Sequence, residues 1–332
     1  MSENLLSSTA LISLTLVLAL GLTLWIRGVL VKRALLDHPN ERSSHTMPVP
    51  RGGGWALLII LIPGMLLTAK LQHNLANDMG IIAGVLILAC VSWLDDRKGV
   101  SALKRLSLHI FAACLGSLTF TSADTLFGGG LPFWLDRTLM IVGWAWFMNL
   151  YNFMDGIDGI TGTETITIAT GTCLVMTAIS IDDPFLSILT LVLTGACLGF
   201  LALNWYPAKI FLGDVGSVPL GFLTGFLLIS LAVKGYLIPA LILPLYYLAD
   251  SGITIITRAL HGEKIWQAHR QHFYQRATQA VGRHDIVVCW IIISNLGLIS
   301  SALIAVTYPG LGLELAITTV AILLWKMHKT GA

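Results

Sequence analysis

Charge is what this chain has least of. Only 11% of its 332 residues are Asp, Glu, Lys or Arg, while 55% are hydrophobic and the mean hydropathy is +0.80. A soluble domain carries about a quarter charged residues, so a water-soluble enzyme is excluded. The net charge of +2 says little, because the distribution of charge carries the information, and no nucleic-acid partner is expected. Cysteine is also scarce. Cys90, Cys114, Cys173, Cys197 and Cys289 all lie inside apolar runs and none forms a CxxC pair, which excludes a disulfide frame and a zinc site. A basic start is missing before the first apolar run, Leu5–Ile26, and basic residues follow it. That run reads as a membrane span and not as a cleaved leader. Tandem repeats and low-complexity linkers are absent too, so residues 1–332 read as a single membrane-embedded domain.

Long apolar runs are abundant. Eleven are counted, at roughly 5–26, 54–69, 80–94, 103–121, 137–154, 165–181, 185–203, 217–233, 236–257, 286–306 and 313–325. Several fall short of the ~20 residues of a full crossing, so ten is the lower count. The fold class is an all-α polytopic integral membrane protein. The segments between runs fall into two sets, one of which (27–53, 95–102, 155–164, 204–216, 258–285 and 326–332, with adjacent span ends) holds 17 of the 20 Lys and Arg. The positive-inside rule makes that set cytoplasmic. The N-terminus is then outside and the C-terminus inside, in agreement with eleven crossings.

The polar motifs keep to the same side. Asn149 to Gly162 reads NLYNFMDGIDGITG, with Asn149, Asn152, Asp155 and Asp158 at spacings of three and glycines between the acids. A chain-reversing turn needs fewer polar groups. A cation with phosphates uses them fully, since Mg²⁺ takes one or two carboxylates and completes its shell with phosphate and water. Asp95 and Asp96 follow a span without a spacer. Adjacent carboxylates repel, so a metal or a role as general base suits the pair. NWYPAKIFLGDVGS sets Asp214 between two glycines and offers Phe211 as a ring for stacking on a base. In the first loop Arg42, His45 and Arg51 precede three glycines that open a span. Their N–H groups and the basic side chains suit an anion. In the largest loop His269, His272 and Arg276 stand at i, i+3 and i+7, one face of a helix, where Arg is a bidentate donor to diphosphate. Asp250 is an acid inside an apolar run, with Arg258 as a candidate partner.

Taken in order, SHTMPVPRGGG, the Asp pair, NxxNxxDGIDG, NxxPAxxFxGDxGS and the His/Arg loop resemble the polyprenyl-phosphate N-acetylhexosamine-1-phosphate transferase family, of the glycosyltransferase family 4 type. The resemblance spans nearly the whole chain. It implies transfer of a sugar-1-phosphate from a UDP-N-acetylhexosamine to undecaprenyl phosphate, with UMP release and Mg²⁺, or Mn²⁺ in its place, as cofactor. Asp214 is similar to the family's metal-binding Asp, and Asp95 and Asp96 to its pair for metal or lipid-phosphate activation. Asp155 and Asp158 match its DGxDG carboxylates. Asn204 and Phe211 match uridine-site positions, and His269, Arg270, His272 and Arg276 the sugar-recognition loop. The peptidoglycan branch has three consecutive histidines there and this chain does not, which favours the branch that initiates O-antigen, with UDP-FucNAc, UDP-QuiNAc or UDP-GlcNAc as donor. The implied setting is the bacterial inner membrane, among its lipids, with the site at the cytoplasmic interface and a homodimer left open.

Three other classes fit less well. An ion-coupled transporter places its acids near the midplane, often in repeated halves, and here they cluster at span ends. A CDP-alcohol phosphatidyltransferase needs DGxxAR, where this chain reads DGIDGI. A scaffold gives no reason for five acids on one side.

Overall fold

The computed structural model describes residues 2–37, 47–72, 75–263 and 269–331. Arg42 and His45 lie outside the described residues. The described chain is built of helices: α1 (Ser2–Lys32), α2 (Gly54–Leu71), α3 (Leu75–Lys98), α4 (Ala102–Ser117), α5 (Phe133–Phe153), α6 (Ile160–Ala178), α7 (Pro184–Asn204), α8 (Asp214–Ala232), α9 (Leu237–Ile242), α10 (Leu245–Leu260), α11 (Phe273–Val281), α12 (His284–Thr307) and α13 (Pro309–Gly331). A two-residue ribbon, β1 (Leu36–Asp37) with β2 (Val49–Pro50), ties the end of α1 to the start of α2.

Every apolar run falls on a helix, and the run at 236–257 is divided into α9 and α10. Among the described residues, seven helices are long and apolar enough to cross a membrane: α1, α2, α3, α7, α8, α12 and α13. The chain is an all-α, multi-pass membrane protein. The other runs lose apolar length for local reasons. α4 has only 16 residues, α5 carries Asp136, Arg137, Asn149 and Asn152, and α6 is threonine-rich and contains Glu164.

α8 is the axis of the bundle. Nearly all its residues from Val215 to Ala232 are buried, against α2, α3, α5, α6 and α9. Between membrane helices the association comes from close van der Waals packing, which small residues permit. A Cβ on Gly54 would overlap the backbone of Gly216, so α2 and α8 touch through two glycines. On the α5 side Trp144 stacks on Phe222, with ring centroids 4.6 Å apart and planes 5° apart, and its indole Nε1 donates to the Phe222 carbonyl at 2.9 Å. That contact fixes both the depth and the rotation of α5 against α8. The start of α8 and the end of α5 therefore meet at one end of the bundle. At the other end a cavity of about 170 Å³ gathers Asp78, Asp124, Asp183 and Lys234.

Candidate active site

Asp214 opens α8. Gly213 before it has φ +73°, and a Cβ there would lie 2.9 Å from Asp96 Oδ2, so only glycine lets the α3 carboxylate approach. Asp96 uses that opening as a cap. Its Oδ1 accepts from the Asp214 amide at 3.3 Å and its Oδ2 from the Val215 amide at 3.2 Å. These are free donors at the positive end of the α8 dipole. Arg51 joins the two acids, with Nη2 2.8 Å from Asp96 Oδ1 and 2.7 Å from Asp214 Oδ1. Burial opposes its charge, but Asp96 and Asp214 outweigh that and hold the guanidinium above its ordinary range.

The three glycines do not offer their N–H groups to an anion, which corrects the sequence expectation. Gly52 and Gly53 donate to the Phe211 carbonyl, at 3.2 and 2.8 Å, and Gly54 to the Leu212 carbonyl at 2.9 Å. The Phe211 amide in turn donates to Pro50 at 2.8 Å. The glycines are a backbone clasp that sets Arg51 beside Asp214, and Phe211 is part of the same clasp, half-buried.

Asp95 and Asp96 diverge. Asp95 Oδ1 accepts from the Val100 amide at 2.6 Å and its Oδ2 from Arg105 Nη1 at 2.9 Å, and Arg105 also lies 3.9 Å from Asp214 Oδ2. Each acid thus has its own arginine, which answers the repulsion between neighbours. Arg105 stands ten residues beyond Asp95, a spacing that gives no short-range signal in the sequence. Asn152, on α5, lies 3.5 Å from Asp214 Oδ2 and accepts from Ser217 Oγ at 2.6 Å. Asn149 is half-buried one turn earlier.

Asp155 follows the end of α5, half-buried, and feels the charges of Asp214, Arg51 and Asp96. Burial pushes its carboxyl up to about 7; the Thr161 hydrogen bond and the Arg51 charge pull against that, while Asp214 and Asp96 add to it. Asp158 turns inward. Its Oδ2 accepts from the Ala208 amide at 2.9 Å, and its Oδ1 lies 3.2 Å from His284 Nδ1. Asn204 braces the same junction, accepting from Gly159 at 3.0 Å and donating to the Ile210 carbonyl at 2.9 Å.

The shared helical face of His269, His272 and Arg276 is not observed. α11 starts only at Phe273, with His272 as its cap. The reason is Asp250, whose carboxylate reaches over from α10. It accepts from the Phe273 amide at 3.1 Å and the Tyr274 amide at 3.2 Å, and meets His272 Nδ1 at 3.1 Å. Arg258, the candidate partner of Asp250, bonds Glu263 at 2.8 Å. His269 precedes the helix and its ring stacks on His272 at 4.8 Å. Burial, then the neighbouring His272 and Arg258, pushes its imidazolium down to about 4, so the ring is neutral at pH 7. Arg276 lays its guanidinium over Phe273, 5.2 Å from the ring centroid. Arg270 is half-buried in the turn before α11. Tyr274 fastens α11 to the main cluster, donating to the Phe153 carbonyl at 3.3 Å.

Among the described residues no three His, Cys, Asp or Glu side chains form a ready-made metal cage. The donors at hand are hard carboxylate oxygens, those of Asp214, Asp95 and Asp96. One or two of these, with phosphate and water supplying the rest, is the set that Mg²⁺ takes, so the residues present fit that ion.

Comparison with known proteins bears on this arrangement. The model of a family described as glycosyl transferase family 4 matches residues 79–232, the stretch from α3 to α8 that carries all five acids. A decaprenyl-phosphate N-acetylglucosaminephosphotransferase of Mycolicibacterium smegmatis is 27% identical, over 93% of this chain and 86% of its own length. A probable undecaprenyl-phosphate N-acetylglucosaminyl 1-phosphate transferase of Bacillus subtilis is 26% identical, over 83% and 78%. A phospho-N-acetylmuramoyl-pentapeptide-transferase of Streptococcus agalactiae is 30% identical over a shorter stretch, 53% of this chain and 56% of its own.

Proposed function

We propose that the chain is a member of glycosyl transferase family 4, whose model matches residues 79–232, and that it transfers an N-acetylhexosamine-1-phosphate from a UDP-sugar to undecaprenyl phosphate and releases UMP. The observation that carries this reading is the convergence of Asp95, Asp96, Asp155 and Asp214 with Arg51 and Arg105 at one end of the helix bundle. Phosphoryl transfer asks mainly for positioning and for neutralisation of charge, and this cluster offers both signs. The relatives from Mycolicibacterium smegmatis and Bacillus subtilis carry names that describe phospho-sugar transfer to polyprenyl phosphates.

In the reaction an oxygen of the lipid phosphate attacks the β-phosphorus of the donor. The bond from that phosphorus to the bridging oxygen breaks, and UMP departs with the electron pair. Arg51 presents a planar fork that suits the diphosphate oxygens. Asp95 or Asp96 takes any proton left on the lipid phosphate. Asp155, Asp158, Asn149, Asn152, Asn204 and Phe211 form the wall on the uridine side, and the turn from His269 to Arg276 is the sugar side. Mg²⁺, or Mn²⁺, would be held by Asp214 with Asp95 or Asp96 and would neutralise charge on the departing phosphate.

We place the reaction on the cytoplasmic side of the bacterial inner membrane, with eleven crossings and the N-terminus outside. The distribution of Lys and Arg supports the orientation, and the length of α3 supports a crossing between the two ends. Asp78 and Asp95 stand about 25 Å apart on α3 at 1.5 Å per residue, one in the far cavity and the other in the acid cluster. The product begins O-antigen or a related surface polysaccharide. The names of the relatives favour UDP-GlcNAc as donor, and UDP-FucNAc and UDP-QuiNAc complete the test panel. Purified protein with undecaprenyl phosphate and Mg²⁺ should release UMP from at least one of them, and EDTA should stop it. No UMP from any donor contradicts the transfer, and full turnover in EDTA contradicts the metal.

A further inference from the structure

Two successive amides of the turn at 155–159 are taken by side chains from other helices. The Asp158 amide donates to His284 Nδ1 at 3.1 Å, and the Gly159 amide to Asn204 Oδ1 at 3.0 Å. Amides ahead of a helix start are free donors that suit an anion, and α6 begins one residue later. Both are occupied, so these two amides offer no cradle to a phosphate. The Asp158 side chain is committed as well. Its Oδ1 lies 3.2 Å from the same histidine nitrogen, and its Oδ2 accepts from the Ala208 amide at 2.9 Å. On the opposite edge of the turn a Cβ on Gly156 would overlap the Tyr274 hydroxyl. The turn is thus gripped from two sides, by α11 on one and by His284 on the other.

His284 is the point where three segments meet. It is the first residue of α12 and only 5% exposed. Besides Asp158 it packs on Tyr206, with ring centroids 5.0 Å apart. The turn it holds begins at Asp155, which feels the charges of Asp214, Arg51 and Asp96. The segment from Tyr206 runs through Ala208 and Phe211 to Asp214. Packing alone does not select this residue. An acid and a histidine buried side by side bear a desolvation cost that two apolar side chains avoid. What the pair adds is direction, since hydrogen bonds fix the angle between the two segments where apolar contact leaves it free. Asp158 is 7% exposed with both oxygens engaged, so it serves the site as a support.

We propose that His284 is a positioning residue for the nucleotide of the donor: it holds Asp158, and through Asp158 it sets Asp155 and the segment up to Phe211 in register on the uridine side. The inference rests on the transferase reading and deepens it, because His284 acts on the donor only through these residues.

The test compares His284→Leu, which keeps bulk and loses the acceptor, with His284→Asn, whose amide oxygen can stand where Nδ1 stands. Apparent KM is measured separately for the UDP-sugar and for undecaprenyl phosphate. UMP binding in the presence of Mg²⁺ is followed without turnover by isothermal titration calorimetry. His284→Leu should raise the donor KM about tenfold, the effect of one buried amide left without its acceptor, and weaken UMP binding by a similar factor. The acceptor KM should be unchanged, and His284→Asn should stay near the wild type in all three. A merely structural histidine predicts a lower folded yield with both KM values unmoved. That outcome, equal shifts of the two KM values, or a failure of Asn to rescue overturns the assignment. If His284→Leu fails to fold, His284→Gln, whose longer amide carries its oxygen past the Nδ1 position, takes its place with the same expected split. A wild type that binds UMP but releases none from any donor defeats the transferase reading alone, and equal UMP affinity of wild type and variant then still overturns the role of His284. A wild type that binds no UMP overturns both.

Discussion

Asp155 is the residue at which the needs of the fold and of the site conflict. It is half-buried, and burial raises its carboxyl from 3.8 to about 7. A raised folded-state value means that folding favours the proton. The stability it contributes is complete below the unfolded value, declines as pH rises, and is gone above the folded value near 7. Asp155→Asn removes that titration. In EDTA and without donor, the melting temperature of Asp155→Asn should exceed that of the wild type by a margin that grows from pH 5 to pH 7 and then levels off. For a half-exposed group the margin is worth about 1–2 kcal/mol, discounted for solvent screening. Transfer activity should be lost in the same variant. A margin independent of pH contradicts this assignment. At this scale the acids were legible in the sequence, because glycine-flanked carboxylates at helix ends have few other uses. Arg105 was not, since it looks like a topological charge until α3 and α4 are brought together.

Among the elements, α8 depends on what it lacks. Gly54 and Gly216 meet backbone to backbone, and overpacking such a contact costs roughly 1–3 kcal/mol. Gly54→Val should lower the melting temperature by several degrees and pull Arg51 away from Asp214, with loss of activity. Gly252→Ala is the control, because nothing lies within 4 Å of the added Cβ. It should leave activity intact and gain up to about 1 kcal/mol of helix preference. Equal behaviour of the two variants in a thermal-shift assay contradicts the packing argument. The helices themselves were legible as apolar runs. The register of the His/Arg segment was not. A period of three to four predicts that His269, His272 and Arg276 share a face, but Asp250, more than twenty residues earlier, fixes the helix start at Phe273. A long-range cap overrode a local pattern.

For the whole molecule, the distribution of Lys and Arg carries the orientation, and the structure supplies the two ends that it orients. Cysteines placed at Ser101 and Gln279, both exposed, should react only with reagents that reach the cytoplasm, and one at Lys234 only from outside. The exposed Cys90 and Cys289 are replaced first. Labelling of position 279 from outside reverses the orientation and moves the acid cluster to the wrong side for a nucleotide donor. The central claim is that a phosphorus–oxygen bond of the donor is broken, so that the sugar arrives with its phosphate. The mass of the lipid product tests this most directly. The account predicts undecaprenyl diphosphate carrying one N-acetylhexosamine, with UMP as the second product. An undecaprenyl monophosphate sugar, with UDP released, would contradict it.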